Sequence, residues 1–174
     1  MAALPERVRN EHSELLARIE LLRTVADSVG SASTESIRES IGRAYTFLIQ
    51  QLIPHAQAEE QVWYPAVGRL LRALEATDTM SRDHLEVIRL TEELETLHLH
   101  LFYAPLTEPD EQALRRVLYG LYAIIKLHLA KEEEIYLPLL EAHLPYEEVD
   151  RMVEAMERTV NEAKSRLKSI AADK

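Results

Sequence analysis

Four histidines and two glutamates in this chain recur at a spacing that can hold metal. His55 and Glu59 stand four residues apart in "HAQAEEQVWYP", and His128 and Glu132 do so in "HLAKEEEIYLP". On a helix, residues i and i+4 share a face about one turn apart. Each pair can therefore reach one metal, or two adjacent ones. Upstream of each pair lies another histidine, His12 in "EHSELLARIE" and His84 in "DHLEVIRLTE". His55/His128, Glu59/Glu132, Glu60/Glu133 and Pro65/Pro138 coincide when the two stretches are aligned. The chain thus reads as two helix pairs, each carrying H…H-x-x-x-E, and this is an internal repeat whose matching positions are functional residue types. Imidazole and carboxylate without sulfur suit iron or manganese and tolerate zinc. Open positions on a redox metal mean small-molecule chemistry.

The elements that must position these residues are helices. His12 lies on a stripe with Val8, Leu15, Leu16, Ile19, Leu22 and Val25, opened by Pro5 and closed by Gly30. After the polar loop "SASTES", with Ser33 or Thr34 as cap, a second helix is expected over about 35–74. Its stripe is Ile37, Ile41, Tyr45, Leu48, Leu52, His55, Glu59 and Val62. "EATDTMS" reads as a loop with a cap. A third helix over about 82–101 turns His84, Val87, Ile88, Thr91, Leu94 and His98 inward. A fourth runs over about 111–143, and Pro145 opens a fifth that ends near residue 170. No strand is expected. The fold class is all-α, an up-down-up-down four-helix bundle over about 5–144 with an additional C-terminal helix outside it, in a single domain spanning 1–174.

Six ionisable groups on apolar stripes are costly unless paired or metal-bound. A satisfied core histidine explains any one of them. It does not explain six in register across a repeat.

Composition narrows the setting. With 20 basic and 30 acidic side chains the net charge is −10, which disfavours nucleic acid and anionic lipid as partners. Cysteine is absent, so disulfides and thiolate metal sites are excluded, and a cytoplasmic location is expected. The N-terminal stretch has no apolar core of signal-peptide length, and no run approaches a membrane span.

Other candidates are set aside. His98 shares the face of His84 but lies roughly 21 Å along the axis. His98 and His100 are too far away to join the centre, and His143 reads as a cap or surface residue. Glu60, Glu133 and Glu134 read as a solvated face, Tyr64 and Tyr136 as aromatic packing near the site, and Tyr45 as core. Pro54 and Pro65 each remove a helical hydrogen bond. Pro65 and Pro138 either set how the helices diverge beyond the site or end the regular helix.

The pattern His12, His55-x-x-x-Glu59, His84, His128-x-x-x-Glu132, with Pro65 and Pro138 beyond, resembles the hemerythrin-like HHE cation-binding domains over about 5–144. The resemblance implies a four-helix bundle with a non-haem di-iron centre. Glu59 and Glu132 would bridge the irons, His12 and His55 would serve one iron, and His84 and His128 the other. Two nitrogens and two oxygens per metal leave room for an oxo or hydroxo bridge and an exogenous molecule. The implied partner is a small molecule: hydrogen peroxide, dioxygen or nitric oxide. The implied function is reaction with a small oxidant, including catalase-like turnover, or else binding or sensing of iron, oxygen or nitric oxide without turnover. Oxygen-carrying members place a further His where Ile88 stands here, and a carboxylate five residues after the last His, where this chain has Glu133 as well as Glu132. This site therefore has one His fewer and reads as nearly symmetric.

Overall fold

A computed structural model describes the backbone of residues 4–172 and the side chains of 7–166 apart from Leu74. The ends of the expected 1–174 span, residues 1–3 and 173–174, lie outside the described residues. All regular structure among the described residues is helical.

Helix α1 is Leu4–Ser28. The chain leaves it through Gly30, whose φ of +83° favours a residue without Cβ. Ser33 caps α2 (Thr34–Phe47), its hydroxyl accepting from the Ser36 N–H at 3.2 Å. The helical run from there to residue 71 is not uniform. A π-helical turn, Leu48–Leu52, leads into α3 (Ile53–Ala58), and a second, Glu59–Trp63, leads into α4 (Tyr64–Leu71). After a short 3-10 turn, Leu74–Thr77, come α5 (Asp78–His100) and α6 (Glu108–Lys131). A third π turn, Glu132–Tyr136, precedes α7 (Leu137–His143), and α8 is Tyr146–Ala172.

The π turns explain the prolines. A proline inside an α-helix lacks an N–H and clashes with the carbonyl four residues back. Just ahead of Pro54, Pro65 and Pro138, the N–H groups of Ile53, Tyr64 and Leu137 donate five residues back, to Leu48, Glu59 and Leu137's partner Glu132. The wider turn holds one extra residue and makes room for the ring. The helix continues through each proline, neither breaking nor ending there.

Three boundaries differ from the sequence reading. The second run stops at Leu71, where Arg72 takes a left-handed φ of +52°. Helix α5 starts at Asp78, earlier than residue 82, and Ser81 lies inside it, its hydroxyl donating to Glu60 at 2.9 Å. Helix α6 starts at Glu108, earlier than residue 111, because Thr107 and Asp110 form a reciprocal capping box.

Helix α1 packs on α2 and α6, and α5 packs on α2 and α6, closing a ring of four. Ile19, Leu22, Ile37, Ile41, Leu94, Leu118 and Leu121 fill its centre. Helix α8 lies against α1, α3 and the Glu59–Trp63 turn, and helps build a second apolar cluster that contains Val8, Ala58, Trp63, Tyr64, Leu137 and Met156. Each burial is worth about 1.5–3 kcal/mol for a large apolar side chain. Along the chain, three of the four candidate histidines fall between residues of the two clusters: His12 between Val8 and Leu15, His55 between Leu52 and Ala58, His84 between Met80 and Val87; His128 lies between Ile125 and Leu129 of the first cluster. Two apolar blocks thus clamp one polar layer.

Candidate metal centre

All six residues singled out by spacing meet in that layer. His12, His55, Glu59, His84, His128 and Glu132 are each 7% exposed or less. The histidines aim Nε2 at the carboxylates. Glu59 Oε1 lies 2.9 Å from His55 and 3.9 Å from His12, while its Oε2 lies 3.2 Å from His84. Glu132 divides the same way, Oε2 at 3.8 Å from His12 and Oε1 at 3.4 Å from His128. One donor atom each from His12, His55, Glu59 and Glu132 lies within 4.8 Å of the others, and the same holds for Glu59, His84 and His128. Either group could hold a metal ion, and Glu59 belongs to both.

The polar atoms lack what burial requires. His12 Nε2, His55 Nε2, both Glu59 oxygens and Glu132 Oε2 are buried and close to one another, yet none makes a hydrogen bond of good geometry. A buried polar atom left unpaired costs about 1–3 kcal/mol, and more when charged. The Nε2 atoms of His84 and His128 face each other at 2.9 Å. Five orphaned atoms converging on one layer, all of metal-donor type, fit cations between them.

Outside this layer each histidine is held by a carboxylate at Nδ1. His12 donates to Glu133 at 2.8 Å, His55 to Glu11 at 3.1 Å, His84 to Glu60 at 2.8 Å and His128 to Asp83 at 3.1 Å. Such a bond fixes the Nδ1–H tautomer and leaves Nε2 free to ligate. Lys131 pairs with Asp83, and Arg9 stands 3.4 Å from Glu133.

Two aromatic residues complete the surroundings. The Tyr64 hydroxyl donates to Glu132 Oε1 at 3.0 Å and lies 3.2 and 3.4 Å from the Nε2 atoms of His128 and His84. Trp63 stacks on the His12 ring, with centroids 6.2 Å apart.

Burial and the neighbouring charges set the protonation of the layer. Burial alone would push His55 down, but the Glu59 and Glu11 carboxylates outweigh it and hold the ring well above its ordinary value. His128 is likewise opposed by burial and raised to about 9 by Glu132, Glu59 and Asp83. Burial, with His55 beside it, lowers His12. Burial opposes ionisation of Glu59, yet His55 and His84 hold it well below the carboxylate range. Burial and the neighbouring Glu59 push Glu132 up. Burial pushes the Tyr64 phenol up, so its proton is firmly held.

The sequence model of the hemerythrin HHE cation-binding domain matches residues 4–140. The chain belongs to the hemerythrin HHE cation-binding family. It shows no significant match to curated proteins or to solved structures. No helix among the described residues is long and apolar enough to cross a membrane.

Within this HHE chain the remaining candidates sort cleanly. His98 is half-buried away from the layer, its ring edge-on to Phe102 at 5.2 Å. His100 is exposed, 3.8 Å from Asp110, and His143 is exposed, with Nδ1 donating to the Leu139 carbonyl. Tyr45, read as core, is half-buried, and burial with Glu95 raises its phenol to about 12. Glu134 is solvated, but Glu60 and Glu133 are not a free face: they are the acceptors for His84 and His12. Glu11 and Asp83 escaped the sequence reading. Their signal was present, since an acidic residue precedes the first histidine of both repeats, Glu11-His12 and Asp83-His84. Tyr64, expected as aromatic packing near the site, instead reaches the layer with its hydroxyl. The π turn brings it there, for Glu59 and Tyr64 are the two ends of one five-residue hydrogen bond.

Proposed function

We propose that this HHE chain is a non-haem di-iron protein that binds hydrogen peroxide or dioxygen and reacts with it, with catalase-like turnover of peroxide. His12 and His55 would hold one iron and His84 and His128 the other, with Glu59 and Glu132 shared between them. The observation that carries the reading is the division of each carboxylate, with one oxygen toward each histidine pair. When bound, two irons supply reversible one-electron chemistry and open positions for a small oxidant. Manganese or zinc can stand in as metals, zinc without the redox chemistry. The reading includes alternating up and down directions for the four packed helices, with α8 as an addition within one domain.

The chain's own residues do the rest. The apolar clusters on both sides exclude water and confine access to small molecules. Four carboxylates orient the imidazoles through Nδ1. Tyr64 keeps a proton at its hydroxyl, 3.0 Å from Glu132 and beside the His84–His128 half, where it can be lent to a reacting oxygen and taken back. Disproportionation needs that exchange: of two peroxide molecules, one gives up two electrons and two protons to become dioxygen, and the other accepts them to become two waters.

The test is iron loading followed by peroxide. Two irons per chain by elemental analysis, with oxygen evolution, are expected. A stable coloured adduct without turnover would favour binding or sensing, and one iron or none would overturn the di-iron reading.

A further inference from the structure

The four carboxylates that hold the histidines follow a definite order. Glu11 on α1 accepts from His55 on α3. Glu60, in the π turn after α3, accepts from His84 on α5. Asp83 on α5 accepts from His128 on α6. Glu133, in the π turn after α6, accepts from His12 on α1. The order closes on itself.

We propose that Glu11, Glu60, Asp83 and Glu133 are positioning residues that form one closed ring, in which each helical run fixes the histidine of the next. The proposal rests on the metal reading above and deepens it, for it says which residue governs which half. Glu11 and Asp83 each act within one half. Glu60 and Glu133 cross between halves: Glu60 sits on the run that carries His55 but governs His84, and Glu133 sits beside Glu132 but governs His12.

Helix geometry accounts for the arrangement. Each acceptor is the immediate neighbour of an inner residue: Glu11 of His12, Glu60 of Glu59, Asp83 of His84, Glu133 of Glu132. Successive helical residues are turned about 100° from each other. When one aims at the polar layer, its neighbour aims sideways, toward the adjoining helix and the outer nitrogen of its histidine. The repeat therefore writes the device twice. Different groups steady the acceptors in turn, Ser81 at 2.9 Å for Glu60, Lys131 for Asp83 and Arg9 for Glu133.

The crossing makes the proposal testable. Histidine-labelled full-length chain, metal-free, is read by long-range proton–nitrogen NMR for the state of each ring nitrogen. Glu60→Ala is expected to release the His84 Nδ1–H and leave His55 as in the parent, while Glu11→Ala does the reverse. In Zn(II) titrations each variant weakens one of two sites about 10- to 100-fold. Glu60→Gln, which keeps an acceptor oxygen, restores most of the affinity. Helical content by circular dichroism stays at the parent value, since both side chains stand at the surface edge of the layer. A Glu60→Ala change that falls on His55, or equal weakening of both sites by both variants, overturns the ring. A parent chain that binds fewer than two Zn(II) overturns the metal reading instead, and the ring-nitrogen spectra of the metal-free chain still decide the proposal.

Discussion

The His12–His55 half and the His84–His128 half of the polar layer come from the same repeated sequence, yet they are not equivalent. Trp63-Tyr64-Pro65 in the first repeat aligns with Tyr136-Leu137-Pro138 in the second. The first places an aromatic ring on His12 and sends a hydroxyl across to His84, His128 and Glu132. In the second, Leu137 is buried in the apolar cluster, and the Tyr136 hydroxyl donates away from the layer, to the Ala76 carbonyl at 3.3 Å. The repeat fixes where the four histidines and two glutamates stand. The two residues ahead of each proline decide what else each half can do, so among the described residues the phenolic proton stands beside the His84–His128 half.

The largest effect expected tests what the halves share. Glu59 belongs to both donor groups, so Glu59→Ala should lose both metals together by elemental analysis, whereas Glu134→Ala should lose neither. If one metal survives in Glu59→Ala, the halves are independent and the carboxylate is not shared.

A smaller effect tests what they do not share. Tyr64→Phe keeps the ring and removes the hydroxyl beside one half. Loading should stay at two metals, and peroxide turnover should fall about 100-fold, the low end for loss of a general acid–base group. The thermal midpoint should move by about 2–4 °C, the equivalent of one net hydrogen bond. Unchanged turnover would make the two halves chemically alike.

The smallest effect concerns protons in the metal-free protein. His128 is raised to about 9 and His55 is raised too, whereas His12 is lowered. A raised folded-state value stabilises the fold fully below the ordinary histidine value near ~6.5 and loses that contribution as pH rises through about 9. The metal-free thermal midpoint should fall by on the order of 5 °C across that window. Iron-loaded protein, in which cations replace those protons, should not show the decline. A flat metal-free profile would mean that neither half stores a proton.

Much of the buried polar layer was legible because its residues repeat in both type and spacing. His12, His55, Glu59, His84, His128 and Glu132 could be read from an i, i+4 pattern written twice, and the core positions Ile37, Ile41 and Leu94 from helical periodicity. Tyr64 was not legible, since its placement depends on a π turn that shifts the helical phase by one residue. That shift also leaves Val62 half-buried and puts Trp63 in the core, where an unbroken α stripe would favour Val62. Glu11, Glu60, Asp83 and Glu133 look like ordinary surface charge until the adjoining helix is in place.

Trp63 is the chain's single tryptophan. It is 2% exposed and lies against the ring of His12. Its emission should therefore be that of a buried indole beside an imidazole, and it is an optical probe that needs no label. A paramagnetic ion held by His12 would quench it through one stacked ring. An ion in the half beside Tyr64 would lie farther from the indole and should quench it less. Stepwise filling of the two halves can thus be followed in a cuvette, with the first half reporting its own occupancy.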